Sequence, residues 1–263
     1  MATIRRILIC GDLHTKTKYL PKLQELSKKV SRTILLGDYC DDWNAYPEHS
    51  YELIYQLHEW KQKAKGKLIL LLGNHDLSEW FGGEFRCSGW NFQTNKLVSY
   101  FFEKNQQDFE ISFAVGNTLF THAGLTQDWT EQNLPIDKKP QKLSFARFLS
   151  CEMNLAFRNR DKKFLSALRQ VGYERGGYSH STSPIWADYN ELISSPFPSI
   201  NQIVGHTPVT GITEITTSSN NQLIFCDTLS TYLSHGKVSP YGDQTVIIYD
   251  MKTKTYEIIP LTD

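Results

Sequence analysis

The chain has 263 residues, 40% apolar and 21% charged, with 28 Lys+Arg balancing 28 Asp+Glu. This is enough chain for one large domain with a real core, and zero net charge gives no general case for binding nucleic acid or a membrane surface. No apolar run reaches the ~18 residues of a membrane span, and the five scattered cysteines, Cys10, Cys40, Cys87, Cys151 and Cys226, form no CxxC pair, so they read as reduced thiols of a cytoplasmic protein rather than a disulfide framework or zinc ribbon.

In chain order, residues 4–10 read as a strand and residues 19–30 as a helix, with Leu20, Leu23, Leu26 and Val30 at helical spacing. Residues 33–36 form a second strand, 48–64 a helix carrying Leu53, Ile54, Leu57 and Trp60 on one face, and 67–72 a third strand. This alternation predicts a parallel arrangement covered by helices. The stretch from Leu77 to Gln93 reads as an irregular aromatic loop, followed by a short helix at 95–104. Strands at 109–115 and 117–121 flank a Gly116-Asn117 turn.

Residues 126–199 break the rhythm and read as a helical cap inserted into a single domain spanning 1–263, with helices near 142–158 and 161–171. Between Asp137 and Arg175 stand ten Lys/Arg and four Asp/Glu, either a solvated helix face or a positive lid that draws anionic substrates. A strand at 200–204 and β segments near 222–226, 244–250 and 255–260 close the chain, the last part reading as antiparallel.

Five junctions carry the chemistry. Apolar runs end in Gly11-Asp12-Leu13-His14, Gly37-Asp38-Tyr39-Cys40-Asp41-Asp42, Gly73-Asn74-His75-Asp76, Thr121-His122-Ala123-Gly124 and Gly205-His206-Thr207-Pro208. Each alone is an ordinary turn; five polar strand ends in one chain predict a shared site at a sheet edge. Carboxylate, imidazole and carboxamide ligands suit Mn²⁺, Fe or Zn²⁺. Asp38 has two oxygens and can bridge two cations, one held with Asp12 and His14, the other with Asn74, His122 and His206. Such a pair activates a bridging water and clamps phosphoryl oxygens for in-line displacement.

These motifs resemble the five signatures of the calcineurin-like metallophosphoesterase superfamily, over Ile7 to Pro208, and are most similar to its phosphoprotein-phosphatase and dinucleoside-tetraphosphatase branch. The resemblance implies a β-sandwich flanked by helices, with a dinuclear site at strand ends. It also implies a phosphatase acting on a phosphorylated small molecule, nucleotide or phosphoprotein, either as a phosphomonoester or as a phosphoanhydride. His75 matches the family residue that protonates the leaving group, and Asp41 the acid that orients it.

Three departures stand out: Asp42 replaces a phosphate-gripping arginine, Asp76 replaces the Glu of the third motif, and Ala187-Asp188 after Pro184-Ile185-Trp186 replaces a second arginine. Arg86 and Arg175 are candidate substitutes, each weighed against an ordinary surface arginine. Pro208 stands where many nucleases of the superfamily have a second metal-binding histidine, which favours the phosphatase branch. A phosphodiesterase acting on nucleic acid or cyclic nucleotides, and an inactive scaffold of the same fold, are the alternatives.

Overall fold

The computed structural model describes residues 5–262. β1 (Arg6–Cys10), α1 (Leu20–Ser27), β2 (Arg32–Leu35), α2 (Pro47–Lys63) and β3 (Leu68–Leu71) keep the expected β-α rhythm, and the three strands pair in parallel. α3 (Asn74–Phe81), α4 (Phe92–Lys104), β4 (Phe109–Glu110), β5 (Ser112–Val115) and β6 (Thr118–Thr121) follow. The segment 126–199 carries α5 (Gln127–Asn133), α6 (Phe145–Arg158), α7 (Lys162–Leu168) and α8 (Tyr189–Ser194). The chain ends in β7 (Asn201–Val204), β8 (Thr213–Thr216), β9 (Gln222–Phe225), the hairpin β10 (Thr231–Ser234) and β11 (Lys237–Pro240), then β12 (Thr245–Asp250) and β13 (Thr255–Pro260).

Two large sheets result, ordered β13-β12-β1-β2-β3-β4 and β5-β6-β7-β9-β8, and β10-β11 is a separate two-stranded sheet. Side chains alternate across a strand, so Ile7, Ile9, Ile34, Leu36, Ile69 and Leu71 point into the sandwich, where they meet Phe120, Ile203, Ile224 and Ile247. The intervening Leu8, Cys10, Leu35 and Leu70 face outward and pack with Leu20, Leu23, Leu53 and Leu57 of the covering helices. These strands are apolar on both faces because both faces are covered. On the other sheet, Leu119 shares a cluster with Phe148, Leu149 and Met153 of α6, and Val204 and Phe225 pack against Leu192 of α8.

Four expectations change. The strand expected at 109–115 is two strands in different sheets, β4 beside β3 and β5 beside β6. Ile111 is the crossing point, fully buried, and the Asn154 side chain accepts from Ile111 N at 2.9 Å and Ser112 N at 3.3 Å in place of a strand partner. The supposedly irregular Leu77–Gln93 begins inside α3, because Leu77, Trp80 and Phe81 recur at helical spacing and Leu77 N closes the first turn on Gly73 O at 3.1 Å. α4 starts at Phe92, capped by Asn91 Oδ1 accepting from Gln93 N at 2.7 Å. The C-terminal β structure is mixed, since β9 pairs in parallel with β7 and antiparallel with β8.

Six parallel-running strands, β1, β2 and β3 in one sheet and β6, β7 and β9 in the other, bring their carboxyl ends together. The Gly205 N–H bonds to His122 O at 2.7 Å, and Cys226 N to Val204 O at 2.7 Å, so the second trio of loops leaves its sheet side by side.

Candidate metal centre

Every candidate ligand follows one of these strand ends, and they converge. Ligand atoms of Asp12, His14 and Asp38 lie within 4.8 Å of one another, as do those of Asp38, His122 and His206. Asp38 belongs to both groups. Asn74, the first residue of α3, directs Oδ1 to 3.1 Å from His122 Nε2.

The chemistry of these contacts fits cations. His122 Nδ1 lies 3.0 Å from the Leu36 carbonyl and donates to it, which turns the Nε2 lone pair inward. That lone pair faces Asn74 Oδ1 at 3.1 Å, His206 Nδ1 at 3.1 Å and Asp38 Oδ2 at 3.3 Å. Acceptors converging on one point call for a positive charge between them. His14 repeats the arrangement, with Nδ1 2.8 Å from the Asp41 carbonyl and Nε2 3.9 Å from Asp38 Oδ2. His206 Nε2 is buried without a partner.

Electrostatics agree. Burial, then repulsion from Asp227, raises Asp12 well above the carboxylate range. Burial disfavours a charged His122, but Asp38 and Asp12 outweigh it and lift the imidazole to about 9. A proton on His122 thus stands where a cation would, and cation binding would expel it.

The backbone is bent to deliver these groups. His14, Asp38, Asp41 and His206 all have positive φ, 41°, 50°, 64° and 65°, a conformation that costs energy and clusters at functional sites. The Asp76 carboxylate holds two loops in this shape: Oδ2 accepts from Asp38 N at 2.8 Å and Gly73 N at 3.0 Å, and Oδ1 from Tyr39 N at 2.8 Å and Cys40 N at 3.1 Å. Burial and the Asp38 charge push its pKa up to about 6 against these bonds. Gly73 has no alternative, because a Cβ there would overlap Asp38 Oδ1.

A cavity of about 580 Å³ opens over the ligands, lined among others by Asp41, Asp42, Trp43, His75, Ser88, Arg175, Trp186 and Pro208. A second cavity of the same volume, between α1 and α2 and bordered by Lys28, Lys63, Lys65 and Lys67, shares no lining residue with it. His75 Nδ1 meets Asp41 Oδ2 at 3.1 Å. Burial opposes the charged His75, yet Asp38 and the Asp41 bond overcome it and hold its pKa well above the ordinary value.

The two arginine candidates separate. Arg175 lines the cavity, with Nε 2.9 Å from Asp188 Oδ2 and Nη2 donating to Thr207 Oγ1 at 2.8 Å. Arg86 lies over the Trp90 ring at 3.8 Å and does not line the cavity. Of the ten cations between Asp137 and Arg175, only Arg175 reaches it, and Arg158, Arg160 and Arg169 pair with Glu110, Glu103 and Glu84. Asp42, in the expected arginine position, pairs with Lys16 at 2.7 Å.

Two site residues escaped the sequence reading. Asp227 is fully buried beside the first ligand group, accepting from Ser230 Oγ at 2.7 Å; it follows the apolar run Leu223-Ile224-Phe225-Cys226 with no glycine between. Asp76 is a motif residue in the sequence, but its work is on backbone N–H groups, which leave no mark there.

The calcineurin-like phosphoesterase family profile matches residues 5–214. Among solved structures, the cold-active protein-tyrosine phosphatase of a psychrophile, Shewanella sp., aligns at TM-score 0.52 and 15% identity, covering 97% of this chain and 80% of its own. A Saccharomyces cerevisiae protein serine/threonine phosphatase with similarity to human phosphatase PP5 aligns at 0.52 and 16%, covering 100% and 82%. At these identities the likeness is one of fold. No curated protein matches the chain. Among the described residues, no helix is long and apolar enough to cross a membrane.

Proposed function

The chain belongs to the calcineurin-like phosphoesterase family, and from that premise we propose that it is a metal-dependent phosphatase that hydrolyses a phosphomonoester or a nucleotide phosphoanhydride in the cytoplasm, with two divalent cations, manganese foremost. The observation that carries this reading is the pair of ligand groups sharing Asp38. Asp12, His14 and Asp38 would hold one cation, and Asp38, Asn74, His122 and His206 the other. When bound, the pair would supply an activated water and neutralise phosphoryl charge.

The chain's own groups do the rest. Asp41 fixes His75 through Nδ1 at 3.1 Å, leaving Nε2–H to donate to the departing oxygen as the bond to phosphorus breaks and water oxygen adds on the opposite side. The raised pKa keeps that proton available at neutral pH. Arg175, ion-paired with Asp188 and donating from Nη2 to Thr207, keeps Nη1 for a phosphate oxygen. The buried free thiols Cys10, Cys40 and Cys226 support a reducing compartment.

Hydrolysis of p-nitrophenyl phosphate with Mn²⁺ tests the reading. Asp38→Ala and His122→Ala should each abolish it and lower the manganese content of the purified protein. Full activity in either variant would overturn the proposal.

A further inference from the structure

We propose that the leaving group of this site is a planar aromatic ring stacked on Trp43, and that the substrate carries a single phosphate. The inference rests on the phosphatase reading above and narrows it.

The His75–Asp41 pair marks the side of the cavity where the leaving oxygen departs. Trp43 lies two residues beyond Asp41, so their Cα atoms are within about 7 Å. It lines the cavity and is held rather than free: its Nε1 donates to Thr231 O at 3.0 Å, and its backbone N to Asp42 Oδ1 at 2.8 Å. Even so, 53% of the residue is exposed. An indole pinned by its polar edge and half exposed at a cavity of about 580 Å³ is a platform for another ring.

Charge on this side points the same way. The lining residues that adjoin Trp43 in the chain or by hydrogen bond are Asp41, Asp42 and Thr231, none of them cationic. Lys16 is engaged by Asp42 at 2.7 Å, and Arg175 is anchored beside Thr207, next to the ligand His206. A phosphoanhydride would place its second phosphate, an anionic leaving group, beside Asp41 and Asp42, whose partners His75 and Lys16 are already engaged, so no free cation remains for it among the described residues that line this side, whereas a neutral ring needs none. The tyrosyl ring of a phosphorylated side chain and the base of a nucleoside monophosphate both offer this chemistry.

Benzyl phosphate and cyclohexylmethyl phosphate have leaving groups of similar size and basicity, one flat and one puckered. With the Mn²⁺-loaded enzyme, benzyl phosphate should lead by about fivefold in kcat/KM. Trp43→Ala should bring the ratio to about one, mainly through KM for benzyl phosphate, and Trp43→Phe should restore it. A ratio near one in the native enzyme, or one untouched by Trp43→Ala, overturns the stacking. Faster turnover of pyrophosphate or ADP than of benzyl phosphate overturns the single-phosphate half while leaving the phosphatase reading intact. No hydrolysis of any of these, p-nitrophenyl phosphate included, overturns that reading and this inference with it. Between O-phosphotyrosine and adenosine monophosphate, the larger loss in Trp43→Ala identifies the source of the ring.

Discussion

The ligand cradle and the rim above it are built differently. The cradle sits on the ends of six buried strands, and its loops are tied by the four backbone N–H groups on Asp76. The rim is assembled from distant loops: Trp43 after β2, Ser88 after α3, Arg175 and Trp186 between α7 and α8, and Thr231 at the start of β10. The first region has one arrangement compatible with its packing; the second can change residue by residue without disturbing a sheet. On the proposed reading, cation binding would therefore belong to the fold, and substrate choice to the rim.

His75 stands at the seam and gives the largest test. His75→Asn should lower kcat by about 10²–10³ on an alkyl phosphate, less on p-nitrophenyl phosphate, whose leaving oxygen needs little help from a proton. Metal content should stay at the native level, because His75 is not among the grouped ligands. The pH profile supplies the sign. An acid works while protonated, so activity should be present below the raised pKa of His75 and should be lost as pH climbs through it. The variant should lack that alkaline limb. Loss of metal in His75→Asn would erase the division between cradle and rim.

Much of the cradle was legible because its signal is local: an apolar run, a glycine, then a metal-capable side chain. That rule finds Asp12, Asp38, Asn74 and His206; Asp227 after β9 follows an apolar run with no glycine, Leu223-Ile224-Phe225-Cys226, and the rule passes over it. It does not find Asp76's role, since the acceptors of a backbone N–H are set by tertiary structure. Nor does it separate β4 from β5, where continuous β-prone sequence changes sheets at Ile111 and is stabilised by Asn154, 43 residues away. The rim was least legible: Arg86 and Arg175 looked equivalent in the sequence, and Trp43 carried no motif.

Asp76→Asn tests whether the cradle's backbone shape is held by this one carboxylate. An amide offers one acceptor oxygen where the carboxylate offers two, so at least two of the four buried N–H groups lose their partner. The expected cost is about 2–4 kcal/mol in denaturant unfolding, accompanied by weaker Mn²⁺ binding in titration, since Asp38 would no longer be held at φ 50°. Unchanged stability and affinity would mean that the ligands shape their own loops.

The smallest effects lie on the rim and separate its two arginines. Arg175→Ala should raise KM about tenfold, because one charge-assisted bond to the phosphate disappears, with a smaller change in kcat. Arg175→Lys should recover little, since the guanidinium is ion-paired with Asp188 and donates from Nη2 to Thr207, and a single ammonium cannot keep both contacts and still present a donor. Arg86→Ala should move KM by less than about twofold; its guanidinium is stacked on Trp90 and lies outside the cavity. If Arg86→Ala raises KM as much as Arg175→Ala does, the aromatic loop after α3 must close over bound substrate, and the rim would be a moving part rather than the static wall that these contacts describe.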